Sequence, residues 1–436
     1  MSGKRVAVIG GGWSGLAAAV TAVQEGQAVT VFEAARQWGG RARSVTHQGP
    51  NAGSSLFDNG QHILIGAYTD TLKLMRTVGV QPESVLRRMP LCLQTPDGNG
   101  LRLPSWPAPL DVLAGVVTAR GWTWADKLSM LRTTSRWQLA GFQCAPTASV
   151  SDLCQGLSPT VMQTLIEPLC VSALNTPPPQ ASGQVFLRVL KDSLTGATGS
   201  SNLLIPTTDL SALMPGPACQ WLSAKGATLH PGVRVQQLKL DATWRVNGES
   251  FEAVILATSP AAACQLLKPL AEKWGNSHAV TRWTERTHAL RFEAIATVYL
   301  HSPTARLPHP LLALVSDAAN PAQFVFDRGQ LGGPPGKLAF VVSASQGDRA
   351  ELEHQVLRQA RRQLACVFDT AALQPELTVV EKRATFACTP GLVRPTQSIA
   401  PGLWACGDYI EGPYPATLEG AVRSGIAAAQ AITSRT

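Results

Sequence analysis

Residues 5–15, RVAVIGGGWSG, restrict the fold more than any other stretch of the chain. An unbroken apolar run at 5–9 suits a parallel strand buried on both faces. Gly10, Gly12 and Gly15 follow with GxGxxG spacing, the alanine-rich run 16–24 reads as a helix, and a second apolar run at 28–32 ends in Glu33. In such a unit Gly10 makes the tight turn, Gly12 lets a diphosphate approach the backbone, and Gly15 lets helix and strand pack closely. The helix N-terminus, with Trp13 and Ser14, faces the phosphates, and Glu33 accepts the ribose hydroxyls. GxGxxG alone says little, but here strand, helix and acid are in register. Glu33 also argues against a 2′-phosphate, since two anions would meet.

The next residues distinguish NAD from FAD. Gly39-Gly40-Arg41-Ala42-Arg43 comes directly after the second strand. An NAD domain has no need of it, whereas a longer flavin nucleotide uses a glycine pair for close approach and an arginine to neutralise its diphosphate. Arg43 reads equally as a solvated surface charge. Near the other end, residues 402–408 read as a short strand ending in Gly407-Asp408, and Thr417-Leu418-Glu419 opens a helix with small residues at 421, 425 and 428. That helix can lie close to a sheet or cofactor, and its N-terminal amides suit the electron-rich edge of a flavin. Asp408 is expected to accept hydrogen bonds from ribityl hydroxyls, with a helix cap as the plainer alternative. Between these ends, runs at 230–240, 243–246 and 251–256 alternate like an antiparallel meander, with Val235 a backbone contact for adenine. FAD is the expected cofactor.

The expected fold is α/β. A doubly wound, Rossmann-like FAD-binding domain is assembled from 1–66, 218–275 and 385–436, and an α+β substrate domain is inserted as 67–217 and 276–384. A length of 436 residues suits about two domains. The first insertion interleaves Trp106, Trp122, Trp124 and Trp137 with Arg102, Arg120, Lys127, Arg132 and Arg136. Residues 125–142 read as an amphipathic helix with Leu128, Leu131, Ser135 and Leu139 near one face. Two readings stand side by side: a membrane-surface patch with aromatic and basic anchors, or an ordinary core-facing helix. Asn175-Thr-Pro-Pro-Pro-Gln and Gly332-Gly-Pro-Pro-Gly read as rigid loops.

Asp58-Asn59-Gly60-Gln61-His62 lies where the chain returns towards a flavin ring. Asn59, Gln61 and His62 beside Gly60 form a polar cluster suited to catalysis there; a lone histidine is also often structural. Net charge is +8, but no run of five basic residues exists, so no nucleic-acid partner is expected. Nine scattered cysteines without C-x-x-C spacing point to free thiols in a reducing compartment and to no metal site. No signal-like leader and no apolar run long enough to span a bilayer is present, so the expected location is cytoplasmic, soluble or peripheral to the inner face of the membrane.

The motifs GxGxxG with Glu33, GGRARS and GD…LEGAVRSG resemble the amine oxidase / phytoene desaturase superfamily of FAD enzymes. DNGQHILIGAY, SALNTPPPQAS, FLRVLKDSL and CGDYIEGPYPATLEGAVRSG are similar, over nearly the whole chain, to the hydroxysqualene dehydroxylase family, also called squalene-associated FAD-dependent desaturases. The resemblance implies squalene and hopanoid biosynthesis, a hydrophobic triterpene substrate, and reduction at an allylic C–OH carbon by hydride from flavin N5. His62 is then the expected general acid, with Glu419 and Asp58 as rivals. The electron donor is NAD(P)H or a redox protein. The lysine that often faces N5 in amine oxidases has no evident counterpart. Carotenoid-type desaturation is the enzymatic alternative; an FAD-binding module or a basic RNA-binding flavoprotein is the non-enzymatic one.

Overall fold

The computed structural model describes residues 3–47, 55–107, 109–194, 196–275 and 279–433. Its central sheet has six strands in the order Thr228–Pro231, Ala28–Glu33, Arg5–Ile9, Ala253–Leu256, Leu403–Ala405 and Ser398–Ala400. All neighbours are parallel except the last pair. Val6, Ala7 and Val8 are fully buried because helices cover one sheet face and the residues of a small antiparallel meander, among them Trp244, Val246 and Phe251, pack on the other, which is why the first strand reads as continuously apolar.

The helix after that strand runs Trp13–Gln24, beginning three residues before the expected start. The C-terminal helix, Leu418–Thr433, lies directly against it. A Cβ on Gly425 would stand 2.1 Å from the Ser14 carbonyl oxygen, so only glycine permits this separation. The small residues of the last helix therefore serve helix packing as well as the site.

The third segment corrects one expectation. Leu238–Leu240, Trp244–Val246 and Glu249–Phe251 do form an antiparallel meander. The flanking strands Thr228–Pro231 and Ala253–Leu256 instead join the parallel sheet, pairing with Ala28–Glu33 and Arg5–Ile9. Ala253–Leu256 is buried at every position and carries no alternation, so a two-residue period was the wrong template for it.

A second sheet, fully antiparallel, has the order Leu311–Ala313, Phe324–Asp327, Lys337–Ser345, Phe292–His301 and Gln374–Phe386. Opposite it stand helices from the first insertion, among them Leu110–Thr118, Trp124–Leu139 and Gly183–Leu194. Leu72 and Met75 of Thr69–Thr77, from the first expected insertion, share an apolar cluster with the first strand and helix, and Ala218 and Leu222 of Pro215–Ala224 join it from the expected FAD-binding segment.

The Trp124–Leu139 helix starts at a capping box, Thr123 with Asp126. It buries Asp126, Met130, Thr133 and Trp137, while Leu128 and Leu139 are 47% and 90% exposed. Leu128 and Leu139 therefore point outward, while Leu131 of the same stripe is half-buried and packs against the core. No helix among the described residues is long and apolar enough to cross a membrane.

Candidate functional site

One cavity of about 1080 Å³ runs from the glycine turn, past the DNGQH segment, to the antiparallel sheet. Every expected site residue except Gly15 lines it. Gly15 works from behind: a Cβ there would stand 1.9 Å from the Gly10 carbonyl oxygen, so its absence lets the helix sit on the turn. Gly10, at φ +115°, likewise has the Ala257 carbonyl 2.4 Å from a would-be Cβ.

Gly12 differs. A Cβ on it would meet nothing nearer than the Gly40 Cα at 3.8 Å, so protein packing does not demand glycine. What a side chain would fill is the cavity itself. The Trp13–Gln24 helix has no side-chain cap, leaving its first amides for a ligand, and no acidic residue lies in its first turn. Gly39 and Gly40 close the cradle, the Gly39 N–H donating to the Gly11 carbonyl at 2.8 Å. The buried Trp13 indole anchors this loop by donating to Ala42 O at 2.9 Å. Glu33 accepts from the Gly11 and Ala35 amides at 2.6 and 2.7 Å, and Val235 sits beside that end of the cavity. A diphosphate with one ribose on the glutamate side suits this donor set.

At the middle of the cavity Arg41 and Asp408 bond to each other at 2.5 Å, and Arg41 also donates to Ala384 O at 2.5 Å. Arg41 thus has its countercharge within the protein and ties the C-terminal segment to the antiparallel sheet. That departs from an arginine free to neutralise a diphosphate. Arg43 donates to the Gly40 carbonyl, so it belongs to the loop and is not a solvated charge. Thr417 accepts from Gly420 N at 3.0 Å and caps the last helix beside Leu418.

The DNGQH segment is held from below. Asp58, buried, accepts from Leu210 N at 2.9 Å and lies 3.7 Å from Arg328; burial raises its carboxyl above the usual range. Arg328 donates to Gln61 Oε1 at 3.1 Å, Gln61 Nε2 donates to Tyr299 Oη at 2.9 Å, and Tyr299 donates to Asp58 O at 3.0 Å. Both ends of the Gln61 amide are occupied, so its task is to set the loop. Asn59 Nδ2 donates to Arg41 O at 2.8 Å and to Glu381 Oε2 at 3.2 Å.

His62 faces the cavity with Nδ1 3.3 Å from Gly60 O. Burial, with a smaller push from Arg41, lowers its pKa to about 4, against the Gly60 contact. Burial therefore favours the neutral imidazole. The two rivals are engaged elsewhere. Asp58 serves the network above, and Glu419 is fully buried, bonded to Asp70 N, Thr71 and Arg423 away from the cavity.

Three lining residues were given no role in the sequence reading, although Tyr409 directly follows Gly407-Asp408. Glu381, on the Gln374–Phe386 strand, is a cavity carboxylate next to Asn59. Thr297 is 1% exposed with no partner for its hydroxyl, and Tyr409 is 2% exposed with none for its own. Thr297 sits amid an apolar floor of Ile295, Phe326, Val341 and Val379. A buried hydroxyl without a partner costs roughly 1–3 kcal/mol, which a ligand group returns. No lysine lines the cavity among the described residues.

A model of the family described as flavin containing amine oxidoreductase matches residues 13–433. The chain belongs to this family. It is an FAD-dependent oxidoreductase, and its glycine cradle fits that cofactor. It is 28% identical to hydroxysqualene dehydroxylase of Sinorhizobium fredii, with 99% of each chain covered, and 28% identical to that of Rhodopseudomonas palustris, with 98% of each covered. Cyclohexylamine oxidase from Brevibacterium oxydans has the same fold, at a TM-score of 0.69, 17% identity and 99% coverage of both chains.

Proposed function

We propose that this flavoprotein reduces hydroxysqualene to squalene, replacing an allylic hydroxyl by hydrogen. The observation that carries the reading is one cavity whose far end is largely apolar and holds the buried, unpartnered Thr297 hydroxyl. A long hydrocarbon carrying a single hydroxyl matches that pattern, and the full-length likeness to two hydroxysqualene dehydroxylases agrees with it.

In this reading Glu33, Gly12 and the uncapped helix N-terminus bind the nucleotide, while Asp408 and Arg41 hold the C-terminal segment against it. When bound and reduced, the flavin supplies hydride. The protein does the rest. Phe324, Phe326 and Val341 take the hydrocarbon and exclude water, which would return a cation to the alcohol. Thr297 hydrogen-bonds the substrate oxygen and fixes the carbon bearing it. The C–O bond breaks as that oxygen gains a proton and leaves as water, and the carbon gains a C–H bond.

The proton comes from Glu381. Among the cavity carboxylates, Glu33 is engaged at the nucleotide end and Asp408 is paired with Arg41, whereas Glu381 faces the junction with the apolar end. Asn59 orients it, and the neutral His62 shapes the adjoining wall. The test is anaerobic: the chemically reduced holoprotein is mixed with hydroxysqualene, and absorbance and products are followed together. Flavin reoxidation with stoichiometric squalene is the expected result. Flavin that stays reduced in the presence of substrate overturns the reading.

A further inference from the structure

The outer surface above the apolar end of the cavity is unlike the rest of the molecule. Eleven large apolar residues are exposed among the described residues, and seven of them, Trp106, Leu110, Leu113, Val117, Trp124, Leu128 and Leu139, fall between 106 and 139. Trp124 is 69% exposed and Leu139 90%. A monomeric protein seldom leaves so much apolar side chain together without an occupant.

Charge identifies the occupant. Residues 101–140 contain five basic side chains, Arg102, Arg120, Lys127, Arg132 and Arg136, and two acidic ones, Asp111 and Asp126. Both acids are buried, so all charge this segment presents is positive. Lys127 lies 5.0 Å from the Trp124 ring centroid and donates to Val117 O, bracing the two helices. Aromatic and aliphatic side chains interleaved with cations, without an exposed carboxylate, suit the headgroup boundary of an anionic bilayer. A protein partner's interface has no need of such one-signed charge, and a nucleic acid has no use for the aliphatic residues.

The same two helices have a second role on their inner side. Val112 and Val116 of Leu110–Thr118, and Met130 and Trp137 of Trp124–Leu139, line the cavity. One layer of helix thus separates the exposed apolar face from the apolar end of the site. We propose that this face docks on an anionic membrane and that the hydrocarbon substrate passes between bilayer and cavity there. The passage rests on the dehydroxylase reading; the docking does not.

The experiment uses purified holoprotein and density-gradient flotation with phosphatidylcholine vesicles, with and without phosphatidylglycerol. Flotation with phosphatidylglycerol vesicles, weakened by salt, is expected. Trp124→Glu/Leu128→Glu and Leu139→Glu should each cut the floating fraction, the double variant about ten-fold. Both alter exposed side chains, so melting temperature and flavin content should stay at parental values. Val393→Glu, at a residue 63% exposed elsewhere, should float as the parent does. Absence of flotation, equal flotation of the variants, or binding to nucleic acid in place of vesicles each overturns the docking. Normal flotation with hydroxysqualene left unconsumed overturns the reaction reading and leaves the docking intact.

Discussion

The two ends of the cavity are built by opposite rules. The nucleotide end is made of backbone: Gly10, Gly12, Gly15, Gly39 and Gly40 bring main chain where side chains cannot go, and one carboxylate, Glu33, sits at fixed spacing from them. The apolar end is made of side chains from separate strands and helices, and two of its polar groups, Thr297 and Glu381, come from neighbouring strands of the antiparallel sheet. Backbone geometry that only glycine satisfies leaves a motif. Volume and polarity that several residue types satisfy leave none.

The largest effects should come from the cradle, and they split it in two. Gly12→Val should give a folded protein without flavin, because the side chain enters the cavity and its Cβ makes only an ordinary contact with the Gly40 Cα. Gly15→Val should fail to fold, because even a Cβ stands 1.9 Å from a carbonyl oxygen. Absorbance after gel filtration and thermal melting separate these outcomes; a Gly12→Val protein with normal flavin would remove the cradle from the cofactor site.

At the apolar end the chemistry should depend on one carboxyl. Glu381→Gln should lower turnover about 10²- to 10⁴-fold, the usual contribution of a positioned proton donor, with flavin retained. A His62→Ala variant should lose much less. Should the two losses be reversed in single-turnover experiments, the proton donor has been misassigned.

A smaller effect tests the orphan hydroxyl. Thr297→Val keeps the shape and removes a group with no partner in the protein. The kcat/KM should fall about ten-fold, the worth of roughly one hydrogen bond, while the melting temperature of the substrate-free protein holds or rises. A clear drop in stability would show that Thr297 is satisfied within the fold.

The smallest effect is a pH dependence. His62 has its pKa lowered to about 4 in the folded chain, against 6.5 for an imidazole free in water. The unfolded state therefore binds the proton more readily. The stability that His62 contributes is complete above about 6.5 and is lost as pH falls through that value towards 4. Replacing His62 by Ala should flatten this acid arm in denaturant titrations; an unchanged arm would mean that water reaches the imidazole.

Legibility follows the same division. The strand at 5–9, the turn glycines, Glu33 and the partnership of the two chain ends were readable because each rests on local backbone requirements. Residues 125–142 were readable as an amphipathic helix, but which face points inward was not: Leu128 and Leu139 are as apolar as Met130 and Trp137, and only packing into the core, with Trp137 edge-on to Phe186, distinguishes them. Similarly, Arg41 and Asp408 were each assigned to a ligand, and the fold introduces them to each other.

The amino-acid order by itself determined the nucleotide-binding half, because a turn at φ +115° and a helix laid within touching distance of a carbonyl admit glycine alone. Tertiary structure decided where the charges and hydroxyls of the apolar end lie. Glu381, Thr297 and Tyr409 acquire their meaning from burial and from the partners they have or lack, and those are set by chain segments far apart in sequence. Protonation belongs to the same class: His62 is an ordinary histidine in the sequence, and burial beside Arg41 extends its neutral form down towards pH 4.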